Sequence, residues 1–375
     1  MWANLFGGGM KDLHIAKEKA QAGGFWNYYL ASAVMLAFDY HVLVDLYGDL
    51  PIKEGLQGDK GGYSPKWDEG KVVNEQILKQ LDEALTKVTE AKALPSMGNQ
   101  DLVFAGDIDK WRKFAKSLKL KVLMRDFTTN ALAIKSLLES NPLFESDRRA
   151  LSTGANIRAS KTLLSYLLEN NDPRIADFYE TNDIDGQYTA YAQGNYNATS
   201  TEYPVGSTSR AKLAATDPVY FMSHAEVEFL QAEAWARLNN VSKAGNHYES
   251  AVKLAFSRWG RDATAFLGTD GAYAFKPGAA ELMVEQIITQ KWIASARCQA
   301  WDAFYDQNRT GYPVVSTVPA DEPSYVPGQY TPSLNTALVG NELPRRLPYP
   351  KVSSDNNPNT PKAVSINTKM WWHKK

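Results

Sequence analysis

Five histidines, His14, His41, His224, His247 and His373, are the side chains best suited to move a proton near neutral pH or to hold a transition metal. No two stand four apart on one helical stretch, so the spacing of a zinc site is absent and structural or surface roles are expected. Two carboxylate pairs, Asp45 with Asp49 and Glu226 with Glu233, have the chemistry of a glycosidase, which needs two acids across one cleft. Asp49, however, sits in the turn-like DLYGDLP, and the two glutamates lie on a helical stretch where capping or ion pairing accounts for them. The run GGGMKD from Gly7 lacks the Lys-Ser/Thr ending of a phosphate loop, and no Gly-x-Ser-x-Gly elbow occurs. TNDIDG places Asp183, Asp185 and Gly186 at the third, fifth and sixth positions of a calcium loop, but Thr181 and Ala192 occupy the first and twelfth, so an Asx-type turn is expected instead.

Aromatic side chains weigh differently. They make up 11% of the chain, with 19 Tyr and 10 Trp. On a helical stripe such residues are core, but Tyr63, Trp67, Tyr188, Tyr191, Tyr196, Tyr203 and Tyr273 stand in or beside Gly-rich or polar segments. There a flat ring can stack on the apolar side of a sugar or peptide while neighbouring Asn and Asp orient it, with no chemistry on the ligand. These seven are the candidate ligand-binding residues; no catalytic residue, metal site or cofactor is expected.

Composition bounds the rest. At 375 residues the chain should form one large domain or two closely packed ones. Its 41 Lys and Arg against 42 Asp and Glu generate no field that concentrates a polyanion, which argues against nucleic acid. The single cysteine, Cys298, excludes an internal disulfide framework and is expected as a small buried residue in a helix. An uncharged stretch between Lys19 and Asp39 is long enough to raise the question of a membrane span, but Gln21, Gly23, Gly24 and Asn27 dilute it and a buried helix is the better account.

The elements that would position a site are mainly helical. Val73, Ile77, Leu81, Ala84 and Val88 recur at three- and four-residue spacing, as do Trp111, Ala115, Leu118, Val122 and Arg125. Ser223 and Glu226 form a capping box ahead of another helix. Between Ala225 and Trp259, Ala232, Trp235, Ala244, Tyr248 and Ala251 hold the small and large positions of a tetratricopeptide-like helical pair, with LNNVSK as its turn. Segments 181–217 and 311–360, rich in Gly, Pro, Asn and Ser, break the periodicity and read as long irregular loops.

Taken in order, LVDLYGDLPIKEGLQ, ILKQLDEAL, DKWRKFAKSLKLKVLMR, SHAEVEFLQAEAWAR, QKWIASARCQAWDAFYDQNRTGYP and LPRRLPYPKVSSDNNPN resemble successive landmarks of the SusD-like (SusD/RagB) family. That resemblance implies a mostly α fold, a tetratricopeptide-like αα superhelix whose long loops form a ligand face, in a non-catalytic protein. It implies a surface-exposed lipoprotein of the outer membrane that delivers glycan or peptide to a SusC-like TonB-dependent transporter. It also makes Tyr47, Gly48, Arg345, Arg346 and Pro350 architectural. The expected organisation is one SusD-like domain over 1–375, with the helical-pair scaffold mainly in 10–145 and 217–308. Because the family carries a signal peptide and lipidated cysteine that are not in this sequence, the chain is expected to be N-terminally incomplete. Two rivals remain open: a glycoside-processing enzyme on a helical scaffold, and a helical-repeat scaffold for a protein partner.

Overall fold

The structure is a computed structural model and describes residues 2–140, 143–144, 149–151, 157–193, 199–214, 217–332 and 342–373. In chain order the elements are α1 (Trp2–Asn4), α2 (Met10–Gly23), α3 (Trp26–Tyr47), α4 (Gly70–Glu90), α5 (Ile108–Leu123), α6 (Phe127–Ser140), β1 (Arg149–Leu151), α7 (Lys161–Glu169) and α8 (Ile175–Phe178), then β2 (Pro218–Tyr220), α9 (His224–Arg237), α10 (Val241–Ser257), α11 (Thr264–Leu267), α12 (Ala280–Ala294), α13 (Ala300–Thr310) and α14 (Lys351–Asn356). The mostly α expectation holds: β1 and β2 pair antiparallel as the sole named strands among the described residues. The chain divides into two compact units, Met1–Phe144 with Pro344–Lys374, and Glu145–Leu343.

In the first unit, α2 ends at Gly24, whose φ of 70° turns the chain into α3 while its amide closes back on Ala20 and Gln21. Helix α3 has a mean hydropathy of 1.4 over its most apolar window, enough by length and composition for a membrane span, yet 72% of that window is packed inside the protein. It is a buried core helix, carrying Leu30, Val34, Leu43 and Leu46 at 0% exposure. Val73, Ile77, Leu81 and Ala84 of α4 and Ala115 and Leu118 of α5 are equally buried, as their spacing requires. Asp107 caps α5 by accepting from the amides of Asp109 and Lys110. Arg125, just past α5, donates to Asp45 at 2.8 Å inside the unit, so the Asp45 carboxylate is neutralised by a structural partner. Asp49 accepts from Gly70 N at 3.0 Å and from the Tyr349 hydroxyl at 3.0 Å. The segment after Pro344 is stitched to the end of α3: Leu347 N donates to Leu46 O at 2.7 Å, and Arg346 donates to the carbonyl of Tyr47 and lies over the Tyr349 ring at 4.7 Å. At Gly48, φ is 85°, a left-handed turn that favours glycine, and a Cβ there would crowd Arg346 Nη1 at 3.2 Å.

The second unit is built on the α9–α10 pair. Ala232, Ala244 and Ala251 are fully buried, with Trp235 and Tyr248 at 4% and 2%, in agreement with the helical-pair expectation. Ser223 caps α9 by accepting from Glu226 N at 3.1 Å, one half of the expected box, while the Glu226 carboxylate accepts from Gln299. Helices α12 and α13 are tied to α9 by buried charges. Arg309 holds both oxygens of Glu233, at 2.5 and 2.7 Å, and Asp306 bridges Arg309 and Lys291. Burial alone would push the Glu233 carboxyl up, but Arg309 and Arg237 more than offset this and hold it at about 2. Cys298 departs from expectation: it lies in the turn between α12 and α13, partly buried, because the backbone leaves the helix there through Arg297 at φ 57°.

Candidate functional site

The loop 179–214 is long but cross-braced. Tyr179 bridges Ala211, Arg158 bridges Arg210, and Ser160 bridges Tyr191. At TNDIDG, Asn182 accepts from the amides of Ile184 and Asp185 at 2.9 and 3.0 Å, Asp185 accepts from Gln187 N at 3.0 Å, and Asp183 pairs with Arg210. That is the Asx-type turn, with its side chains engaged in holding the loop. Tyr191 N donates to Ala159 O at 3.1 Å and Lys161 N donates to Tyr191 O at 2.9 Å, which pins Tyr191 to the start of α7.

Beside Tyr191 opens a cleft of about 220 Å3 in the second unit. Its floor is Trp292 of α12 and Tyr330, whose rings meet edge to face at 5.8 Å. Ser160, Thr162 and Ser295 supply hydroxyls, and Gln193 supplies an amide. The Gln193 carbonyl oxygen accepts from Ser160 Oγ, and its backbone carbonyl accepts from Thr331 Oγ1 at 2.8 Å, so the amide NH2 is left for a ligand. Burial pushes the Tyr179 phenol up to about 12 and that of Tyr330 higher, so both stay neutral in any physiological medium. No carboxylate is among the described lining residues; Glu233 is committed to Arg309 and Glu226 engages Gln299. The arrangement can stack on a flat face and donate hydrogen bonds, and its described lining holds no pair of carboxylates.

The seven candidate tyrosines and tryptophan divide sharply. Tyr191, 37% exposed, and Tyr203 come together with ring centroids 4.5 Å apart, and the Tyr203 hydroxyl accepts from Ala192 N at 3.1 Å. Tyr188 is half-buried against the apolar cluster that includes Trp292 and Phe178. Tyr273 stands apart from the cleft: it is 2% exposed and its hydroxyl donates to buried Asp172 at 2.7 Å, because the polar segment around it folds back toward α10, where Tyr248 donates to its carbonyl. Tyr63 and Trp67 belong to the first unit. Tyr63 is 79% exposed; Trp67 stacks on Trp2 at 5.3 Å and abuts Tyr349 at 5.2 Å. Tyr196 lies outside the described residues. Sequence reading missed Gln193, Trp292, Tyr330 and the 52% exposed Trp301, which follows the lining residue Ala300. Gln193 carried a signal, being flanked by tyrosines in YTAYAQGNY; Trp292, on a helix, carried none beyond core periodicity.

Residues 1–350 match the family described as SusD-like, starch-binding associating with outer membrane. The chain belongs to the SusD-like family. Its fold is that of solved SusD homologues. One from Bacteroides uniformis superposes with a TM-score of 0.80 at 24% identity, covering 98% of this chain and 85% of that one. Another, from Bacteroides vulgatus, gives 0.79 at 22% identity, covering 100% and 84%. A chitin-binding SusD homolog from Flavobacterium johnsoniae gives 0.77 at 20% identity, covering 96% and 83%. Among curated proteins there is no match. The landmarks at Tyr47, Gly48 and Arg346 are the stitching of the first unit described above.

Proposed function

We propose that this SusD-like protein captures oligosaccharide at the outer surface of the outer membrane and hands it, uncleaved, to a SusC-like TonB-dependent transporter, with the cleft beside Tyr191 and Tyr203 as the seat of the ligand. One observation carries the reading: exposed, backbone-pinned Tyr191, in contact with half-buried Tyr203, stands beside a cleft whose described lining has hydroxyls and an amide but no carboxylate. Tyrosine faces stack on the C–H side of a pyranose, and Gln193, Ser160 and Thr162 lie where ring hydroxyls need partners. The family's starch-binding description and the chitin-binding names of two structural relatives favour a glycan over a peptide.

The test is calorimetric titration with maltooligosaccharides and chitooligosaccharides, followed by analysis of the recovered sugar. Saturable binding of one class, intact sugar on recovery, and an affinity about tenfold lower in Tyr191→Ala are expected, the size of one lost aromatic contact. New reducing ends would overturn the non-catalytic reading, and unchanged affinity in Tyr191→Ala would overturn the site. Co-purification with a SusC-like transporter from outer membranes tests the delivery step, and its absence would overturn that step.

A further inference from the structure

A second cavity, of about 270 Å3, lies elsewhere in the second unit between α7, α10 and α12. Tyr166, Tyr248 and Tyr273 wall one side, and Thr289 and Gln290 of α12 form the other. Helix α12 presents adjacent stripes to the two cavities, with Thr289 and Gln290 here and Trp292 and Ser295 at the cleft beside Tyr191.

The walls are fixed in advance. Tyr248 donates to Tyr273 O at 2.9 Å, and the Gln286 side chain clamps Lys276 through both its backbone groups, at 2.8 and 2.9 Å. The Tyr273 hydroxyl is used by Asp172. Against this satisfied frame, Gln290 stands out. Its residue is 3% exposed, its amide interacts with the Tyr166 hydroxyl, and its Oε1 is buried with no hydrogen-bond partner. An unmet buried polar atom is costly, so a group in the cavity that reaches it offsets that cost.

We propose that this cavity is a second ligand site, which takes a single hydroxylated ring such as one pyranose unit. Its volume suits about one ring; the cleft beside Tyr191, about 220 Å3, likewise holds one ring, and the rest of an oligosaccharide there would lie over the exposed Tyr191 ring outside it. A sugar hydroxyl both donates and accepts, so it satisfies the free arm of the Gln290 amide whichever way that amide is turned. The tyrosine walls accept the apolar face of the ring. This site is independent of the cleft beside Tyr191.

Ligand-observed NMR titration of the whole chain with methyl α-D-glucopyranoside and N-acetyl-D-glucosamine as probes tests it. Saturable binding of at least one probe is expected. Ala272→Trp, an exposed position on the cavity wall, should abolish it by filling the space, and Gln290→Leu should weaken it about tenfold. Tyr191→Ala should leave this binding in place. The proposal fails if neither probe saturates, which means that the cavity holds water only. It also fails if Ala272→Trp binds as the parent does, or if Tyr191→Ala removes the binding and so traces it to the other cleft. Failure of the oligosaccharide reading looks different: Tyr191→Ala then changes nothing while Ala272→Trp still acts.

Discussion

Tyr191 matters because its backbone is bonded on both sides to the start of α7 while its ring remains exposed. A ring held in place this way loses little freedom when a ligand lands on it. The titratable side chains lining the cleft, Tyr179 and Tyr330, are both pushed upward by burial. Affinity for oligosaccharide is therefore expected to stay flat from about pH 5 to about pH 9, where neither phenol ionises. A titration series showing a step near neutral pH would mean that a histidine or carboxylate contributes to binding. Asp39 makes a residue-scale prediction about stability. Burial raises its carboxyl from 3.8 to about 6, so the folded protein favours the protonated form more than the unfolded chain does. The cost is absent below about pH 4 and fully present above about pH 6. Asp39→Asn should therefore stabilise the protein at pH 7.5 by on the order of 1–2 kcal/mol after allowance for solvent screening, and by nothing at pH 4. Denaturant midpoints at the two pH values check this.

At the scale of elements, α9 faces two demands. Toward α10 it must be thin, and Ala232 with 0% exposure meets that need. Ala232→Leu should cost about 1–3 kcal/mol by overpacking, read as a lower urea midpoint with an unchanged slope. Toward α12 and α13 it carries Glu233, whose charge is tolerated because Arg309 and Arg237 meet it. Removing one partner strands the other, so Arg309→Met is expected to cost about 3–5 kcal/mol, and the double change Glu233→Leu with Arg309→Met distinctly less. If the double variant is as unstable as the single one, the cluster contributes packing rather than charge compensation.

Over the whole molecule, acid stability reflects several groups of opposite sign. His373 is buried and, with Arg345, Lys369 and Arg125 nearby, held neutral down to about 3. The unfolded chain takes up that proton from about pH 6.5 downward, so His373 withdraws stability as pH falls through that window. Glu233 acts later. Its depressed carboxyl contributes stability above about pH 4.5 that is lost only as pH approaches about 2. Asp39 opposes His373 between about pH 6 and about pH 4, so Asp39→Asn should show a steeper acid decline than the parent, measured by thermal melts across that range. The α9–α10 pair and the apolar stripes of α4 and α5 were legible from sequence because each depends on local spacing: a 3.6-residue repeat and a capping Ser223. The family landmarks at Tyr47 and Arg346 were legible as a pattern, but the hydrogen bond from Arg346 to the Tyr47 carbonyl, across some 300 positions, was not. Tyr191, Tyr203 and Tyr273 look alike in sequence, all tyrosines in polar segments. Tertiary structure alone separates exposed Tyr191 and half-buried Tyr203 from buried Tyr273, because exposure depends on which distant element covers a side chain, and no local spacing encodes that.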